Sequence, residues 1–589
     1  MTVKEATEKT RFVRAASLAD VREAGCTAVH VNGHTLALFA YGDKIYAVDN
    51  RCPHMGFPLD RGTVKDGILT CHWHHARFDL ETGGTFDQFA DDVRAFPVEI
   101  REGEVWVDVV SRRDPRQHQR ERLQVGLERD LSLVLGKAVL VLLENDGDPV
   151  APFRAGLEFG ARYRQAGWGQ GLTMLACFMN MLPHLDGEDR PRALYHGLSA
   201  VARDTAGSPP RFPVRPLPDS TTNIATLKRW FRRFIEVRDD EGAERCIISA
   251  IRAGADDRQM ADMLFAAVTD HRYIQVGHPA DFTNKAFEAL DIAGWEYAEP
   301  VLTSLVSGYA GATRMEESNA WRNPIDLIAI LETVFNRLPQ ILEEGRQARQ
   351  RNGQRWNGRD DVVAVLLSDE PQASAEALLA ALAAGATEVE LASTVSYAAA
   401  LRIARFHTSN EFGDWDTALH TFTFANAIEQ GLRRAPSVEL LRGVFDAAMS
   451  VYLDRFLNIP AARIPQPNGR VGEPAELLEQ LPSLLDRQQQ VNQAGEVVGR
   501  YLYSDGAPEP LLALLGSLLL REDRDFHTIQ TVEAAFNQYR LLRGTEAGAH
   551  ALIAAARYLA AHSPTVRAQG QTYQIAYRLH RGDRLFEEA

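Results

Sequence analysis

The protein has 589 residues, of which 45% are apolar and 24% are charged, and its formal net charge is −15 at pH 7. A chain of this length exceeds the size of one hydrophobic core, so we expect two or three domains and no extended disorder. The negative charge argues against a nucleic-acid or anionic-membrane partner, because both attract a basic face.

The chain start and the cysteines favour a cytoplasmic location. Residues 1–5 are partly charged and lack the apolar core of a signal peptide. The longest apolar run, 511–520, is about half the length that a membrane span requires. Cys26, Cys177 and Cys246 are isolated in the sequence, a pattern typical of buried reduced thiols.

The N-terminal part of the chain predicts a small antiparallel β domain. Short β-branched and aromatic runs at 27–31, 36–40 and 44–48 are separated by turn residues. The runs 94–100 and 104–109 flank a short turn and predict a hairpin.

Two loops of this domain carry the pattern of a metal centre. Cys52 and His54 stand one residue apart, and Cys71 and His74 follow after an interval of sixteen residues. In a [2Fe–2S] cluster with mixed ligands, two thiolates bind one iron and two neutral imidazoles bind the other. A Cys2His2 zinc site would use the same four residues, so spacing alone leaves both possibilities open.

The text around these loops resembles the Rieske ferredoxin family over residues 12–109. The resemblance is carried by Cys-Pro-His-Met-Gly at 52–56 and by Cys-His-Trp-His-His-Ala-Arg-Phe-Asp-Leu-Glu-Thr-Gly at 71–83. It implies a [2Fe–2S] cluster held by both cysteines and by His54 and His74. It further implies that electrons come from an external reductase.

The chain departs from the family pattern at two positions. His72 stands where proline is usual, and His75 stands where glycine is usual. Rieske proteins of the cytochrome bc type have a disulfide between the two loops, whereas the corresponding residues here are Phe57 and Trp73. The resemblance therefore implies a disulfide-free, ferredoxin-like centre of lower potential.

From about residue 121 onward, Ala-, Leu-, Arg- and Glu-rich segments predict helices almost exclusively. We therefore predict an α+β multidomain protein, with a small antiparallel β Rieske domain at 1–110, a polar linker at 111–122 and a large all-α, repeat-like domain at 123–589. The segment Asp-x-x-His-x4-His, expected in the α/β catalytic domain of a Rieske oxygenase, is absent.

The spacing of histidines in the helical part indicates an internal repeat. A Gly-Ala pair is followed 21 to 24 residues later by a histidine in four places: Gly160-Ala161 with His184, Gly254-Ala255 with His278, Gly385-Ala386 with His407, and Gly506-Ala507 with His527. The segments 405–408 and 525–528 also match, as Arg-Phe-His-Thr and Asp-Phe-His-Thr.

Imidazole suits iron, zinc, copper or nickel, and one ligand per repeat would converge if the repeats curl around one axis. The candidate metal ligands are His184, His278, His407 and His527. Candidate catalytic residues, as proton donors, substrate contacts or further ligands, are His196, His420 and Asp414. Isolated histidines in helical proteins are more commonly core or capping residues, and this alternative stays open.

The helical part resembles the questin oxidase-like family, which opens rings of polyketide-derived anthraquinones with O2. The segments that carry the resemblance are 182–184, 277–282, 402–407, 414–423 and 520–527. It implies a mononuclear non-haem iron held by histidines.

Two functions follow. In the first, the protein is an oxygenase in which the cluster passes electrons to an iron in the helical domain, where O2 acts on an aromatic or polyketide-like substrate. In the second, a non-catalytic Rieske ferredoxin is fused to a helical scaffold that docks a partner enzyme. The chain lacks a Gly-rich dinucleotide fingerprint, so either function requires an external reductase.

Overall fold

A computed structural model gives the fold and describes residues 12–110, 115–145, 147–212, 214–218, 223–352, 356–411, 413–466, 472–504, 506–583 and 585. The chain divides into two compact units. The first unit comprises Met1–Pro152 with Gln569–Ala589, and the second unit comprises Phe153–Ala568.

The first unit contains the β domain that the sequence predicts. Its strands are β1 (Phe12–Ser17), β2 (Cys26–Val31), β3 (His34–Tyr41), β4 (Lys44–Asp49), β5 (Thr63–Lys65), β6 (Ile68–Thr70), β7 (Arg77–Asp79), β8 (Ala95–Phe96), β9 (Val98–Arg101) and β10 (Glu104–Asp108). They form three antiparallel sheets, in the orders β1-β10-β9, β2-β3-β4-β8 and β5-β6-β7. The predicted hairpin is β9-β10, in which Glu104 pairs with Arg101.

Helices make up most of the remaining described chain. In the first half they are α1 (Leu18–Ala24), α2 (Pro115–Arg129), α3 (Ser132–Leu143), α4 (Val150–Arg162), α5 (Gln170–Met181), α6 (Asp189–Thr205), α7 (Ile224–Glu236), α8 (Asp240–Arg252), α9 (Asp257–Thr269), α10 (His278–Ala293), α11 (Ala298–Thr303) and α12 (Val306–Gly311). In the second half they are α13 (Leu327–Asn352), α14 (Arg359–Leu366), α15 (Pro371–Ala383), α16 (Glu388–Ala404), α17 (Asp414–Arg434), α18 (Val438–Leu453), α19 (Pro474–Leu485), α20 (Val491–Leu502), α21 (Pro508–Leu520), α22 (Phe526–Leu541), α23 (Glu546–Ala561) and α24 (Ala568–His580). The predicted fold class, a small β domain followed by a large helical region, is confirmed. Within the described ranges no helix combines the length and the apolarity needed to cross a bilayer.

The units divide the chain differently from the predicted domain boundaries. The predicted linker, 111–122, includes the start of α2, and α2, α3 and α24 belong largely to the first unit. Arg122 on α2 explains part of this, because its buried guanidinium donates to the carbonyl oxygens of Gln88 at 2.8 Å and Ala90 at 3.1 Å. The segment predicted as a linker therefore ends in an arginine that binds α2 to the β domain.

In the second unit, α17 packs against both α10 and α22, and α5 also packs against α10 and α22. Each of the helices α10, α17 and α22 carries polar residues at intervals of about one turn, which places them on one face. On α10 these residues are His278, Asp281, Lys285 and Glu288. A polar stripe therefore runs through the interior of the second unit.

Lys285 lies in the middle of this stripe. Its ammonium group is almost fully buried and lies 2.7 Å from a carboxylate oxygen of Glu288 and 2.6 Å from one of Glu533. Burial alone would lower the pKa of Lys285, but the two carboxylates outweigh it and raise this pKa well above its usual value. Asn180 on α5 donates to both carboxylates, at 2.6 and 2.9 Å, so the charges are also hydrogen-bonded.

We predict that Lys285→Met destabilises the second unit by about 3 kcal/mol or more, because it leaves two buried carboxylates without their cation. Lys228→Met is the matched control, since Lys228 pairs with Asp262 at a partly exposed site and its loss should cost about 1 kcal/mol or less. The midpoint of urea unfolding, followed by far-ultraviolet circular dichroism, measures the loss of stability in each variant. Equal midpoints for the two variants would contradict a stabilising role of the buried ion pair.

Candidate metal centres

The two cysteine-histidine loops of the first unit share one backbone geometry. In the first loop the amide of Cys52 donates to the carbonyl of Phe57 at 2.8 Å, and the amide of Gly56 donates to the carbonyl of Cys52 at 2.7 Å. The second loop repeats both bonds between Cys71 and the residues five and four positions later, at 2.9 and 3.0 Å. The two turns therefore present their ligands in the same way.

The four ligand side chains meet as a cluster site requires. The thiols of Cys52 and Cys71 are buried and hydrogen-bonded to each other, and each sulfur also accepts N–H bonds from the backbone of its own loop. The rings of His54 and His74 lie with their centroids 4.8 Å apart. His54 Nδ1 is buried and has no hydrogen-bond partner among the described residues, as expected of an atom that ligates a metal.

The electrostatics of the site favour the ligating forms of both histidines and of Cys71, whereas the hydrogen bond to Cys71 and burial raise the pKa of the Cys52 thiol. Burial, with a smaller contribution from Lys137, lowers the pKa of His54 to about 4, and burial also lowers the pKa of His74. The hydrogen bond from Cys52 lowers the pKa of the Cys71 thiol to about 6. Neutral imidazole and thiolate are the forms that bind metals, so these residues fit a [2Fe–2S] cluster.

The structure shows how the two loops accommodate His75, Phe57 and Trp73. His75 occupies the turn position equivalent to Gly56, and it adopts φ of 61°, in the left-handed region that glycine adopts without strain. The rings of Phe57 and Trp73 face each other across the two loops, with centroids 5.9 Å apart. An aromatic contact therefore stands where the disulfide-bearing type has its bridge.

Three histidines converge in the second unit, at one end of the polar stripe. His278 is the first residue of α10, His420 lies in the second turn of α17, and His527 is the second residue of α22. One ring nitrogen from each lies within 4.8 Å of the other two. The Nε2 atoms of His420 and His527 are 3.1 Å apart. These three residues are called the histidine triad below.

Burial favours the neutral form of each ring of the histidine triad. Burial, together with the repulsion that a protonated ring would meet from His420 and His527 in their protonated forms, lowers the pKa of His278 to about 3. Burial, with a contribution from His527, lowers the pKa of His420 to about 4, and burial lowers that of His527 as well. His278 Nδ1 is buried without a hydrogen-bond partner among the described residues. Burial of the three rings therefore favours neutral imidazole, the form that donates a lone pair to a metal.

Aromatic rings and carboxylates surround the triad. The Phe282 ring stacks on His278 with a centroid distance of 5.4 Å, and the Phe526 ring lies 5.5 Å from the same histidine. Asp281 Oδ2 lies 3.9 Å from His278 Nδ1 and accepts a hydrogen bond from the Thr423 hydroxyl at 3.0 Å.

Asp416, which the sequence motifs do not single out, lies close to the triad. Its charge opposes the lowering of the pKa of both His420 and His527, and the His420 ring hydrogen-bonds to its backbone. Its carboxylate accepts a hydrogen bond from the Tyr558 hydroxyl at 3.0 Å. The signal was available, because Asp416 stands four residues before His420 on the same predicted helix.

The structure does not bring together the four ligands that the repeat predicted. His278 and His527 meet, but their partner is His420 and not His184 or His407. His407 Nδ1 instead accepts the amide N–H of Ser409 at 3.1 Å, within its own loop. The His184 ring lies against Phe536, at a centroid distance of 5.6 Å.

The other two catalytic candidates also lie elsewhere. His196 is buried within α6, where its ring contacts those of Tyr195 and Phe178. Asp414 begins α17 and accepts the backbone N–H of Glu411 at 2.9 Å, so it closes the turn that precedes the helix. Of the three candidates, the structure places His420 alone within the triad.

The failure of the repeat has a clear structural cause. His278 and His527 begin helices, whereas His184 and His407 follow the ends of α5 and α16. The matching segments 405–408 and 525–528 accordingly differ, since the first leaves a helix and the second caps one through Asp525, which accepts the N–H of Thr528 at 2.8 Å. Equal spacing in sequence did not distinguish a helix start from a helix end.

Comparisons with known proteins agree with the first site. Residues 11–97 match the Rieske [2Fe-2S] domain family. The ferredoxin component of the naphthalene 1,2-dioxygenase/salicylate 5-hydroxylase systems of Ralstonia sp is 33% identical over 90 residues, which are 15% of this chain and 86% of that protein. The ferredoxin component of the p-cumate 2,3-dioxygenase system of Pseudomonas putida is 31% identical over 108 residues, 18% of this chain and 92% of that protein.

Among solved structures, the ferredoxin of carbazole 1,9a-dioxygenase from Nocardioides aromaticivorans IC177 is 31% identical to this chain. The match covers 16% of this chain and 95% of that ferredoxin, with a TM-score of 0.16. Through its N-terminal domain, the chain belongs to the Rieske [2Fe–2S] family.

Proposed function

We propose that the protein is an O2-dependent oxygenase that carries its own Rieske electron donor and a mononuclear non-haem iron at the histidine triad. The observation that carries the proposal is the 3.1 Å separation of the Nε2 atoms of His420 and His527, with a nitrogen of His278 within 4.8 Å of both. Two nitrogens bound at about 2.1 Å to one metal, 90° apart, would lie about 3.0 Å from each other.

The donor set supports a metal that also binds other molecules. Three neutral imidazoles suit iron, and they leave coordination positions that O2 or substrate can take. An iron ion at this position would supply the chemistry of O2 activation, and the cluster would supply single electrons. Asp416 and Asp281 would orient the imidazoles, as carboxylates commonly do around metal-binding histidines.

The surroundings support an aromatic substrate. Phe282 and Phe526 border the triad on His278, and aromatic side chains pack favourably against other aromatic rings. The relatives of the Rieske domain belong to systems named for aromatic compounds, namely naphthalene, salicylate and p-cumate. The questin oxidase-like resemblance of the helical part points to the same substrate class.

We expect about three iron atoms per chain in the purified protein, two in the cluster and one at the triad. Elemental analysis gives the total, and the absorption spectrum of the cluster gives its share independently. The alternative function, a ferredoxin fused to a non-catalytic scaffold, predicts two iron atoms and no other metal, and that result would refute the oxygenase proposal.

Single substitutions locate the third iron. We predict that His420→Ala lowers the iron content by about one atom per chain and abolishes substrate-dependent O2 uptake, while the cluster spectrum is unchanged, because the substitution removes one of three ligands. His407→Ala is the matched control, since His407 bonds within its own loop and should leave the content at three. If His407→Ala lost the iron and His420→Ala kept it, the assignment to the triad would be wrong.

A further inference from the structure

Lys137 on α3 reaches the first cluster loop. Its Nζ donates hydrogen bonds to the carbonyl oxygens of Pro53 and His54, both at 2.6 Å. Pro53 lies between the ligands Cys52 and His54, so the cation contacts the backbone of the loop that holds one ligand of each type. The contact lies entirely within the first unit.

The charge of Lys137 is not balanced by a close anion. Asp91 is near enough to act on it electrostatically, but this carboxylate is paired with the buried guanidinium of Arg122. No ion pair within 4.0 Å joins Lys137 to any carboxylate in the described part of the chain. Lys137 and Cys52 line the same cavity of about 240 Å³, and the two groups are close enough to interact electrostatically.

We propose that Lys137 is a positioning and potential-setting residue for the cluster: its ammonium group fixes the first loop through two carbonyls and raises the reduction potential. Reduction adds one negative charge to the cluster. A cation held close by therefore stabilises the reduced form more than the oxidised form. The cluster gains an electron more readily than it would in the same β domain without α3.

Lys137 lies on one of the helices that follow the Rieske domain. The family match ends at residue 97, whereas α3 spans Ser132–Leu143. The matched segment of the Ralstonia ferredoxin component makes up 86% of that protein, which leaves little of its chain to supply an equivalent of α2 and α3. The potential is therefore tuned by a part of the chain that lies outside the matched domain.

The test is a redox titration of the full-length protein at pH 7, with the cluster followed by its visible absorption and by the electron paramagnetic resonance of its reduced form. Lys137→Met keeps most of the side-chain length and removes the charge. At a fixed solution potential we expect the ratio of reduced to oxidised cluster to fall about tenfold, which is about 59 mV for a one-electron couple. Lys137→Arg, which keeps the charge, should stay within about threefold of the unmodified protein.

Two further variants separate charge from structure. Lys137→Gln keeps a hydrogen-bond donor for the carbonyls but removes the charge. We therefore expect it to lower the ratio of reduced to oxidised cluster, as Lys137→Met does. Lys137→Gln also serves as the test if Lys137→Met fails to bind its cluster. Lys44→Met removes an exposed lysine of the same unit and should leave the ratio unchanged. An unchanged ratio in Lys137→Gln with a fully loaded cluster, or an equal shift in Lys44→Met, would overturn the proposal. Neither result depends on iron at the histidine triad.

Discussion

The second unit depends on keeping polar groups inside a helical core. Buried charges are tolerated only when they are paired and hydrogen-bonded, and Lys285 meets this condition with Glu288 and Glu533. The same helices, α10 and α22, carry His278 and His527 in their first turns, so the ion pair that joins the helices also constrains the distance between these two rings. The histidine triad thus lies at one end of the polar stripe. The other end borders a cavity of about 450 Å³ that is lined by Glu288 and Glu533.

The Rieske centre could be predicted almost completely from the sequence, because its ligands are local. Cys52 with His54, and Cys71 with His74, each lie within one tight turn, so their spacing determines their geometry. The small β domain was predictable for a similar reason, since its strands are short, β-branched and separated by turn residues. Neither prediction required knowledge of how distant segments pack.

The histidine triad was only partly predictable, because its members come from three helices that are distant in sequence. The sequence predicts that His278 and His527 meet, and the structure brings them together; the third member is His420, a candidate catalytic residue or further ligand, rather than His184 or His407. The sequence showed equal spacing from Gly-Ala pairs, and this spacing carries no information about whether a histidine begins or follows a helix. Likewise, the charged segment that includes Arg122 could not be distinguished from a linker without its partners Gln88 and Ala90.

The central claim is that one chain holds both a Rieske cluster and a separate iron at His278, His420 and His527. Anomalous X-ray diffraction from crystals of the purified protein, collected on both sides of the iron absorption edge, tests it most directly. We predict a two-iron feature between the loops of Cys52 and Cys71, and a single peak within bonding distance of all three histidines. The two-iron feature alone, or a single peak at other residues, would contradict the account.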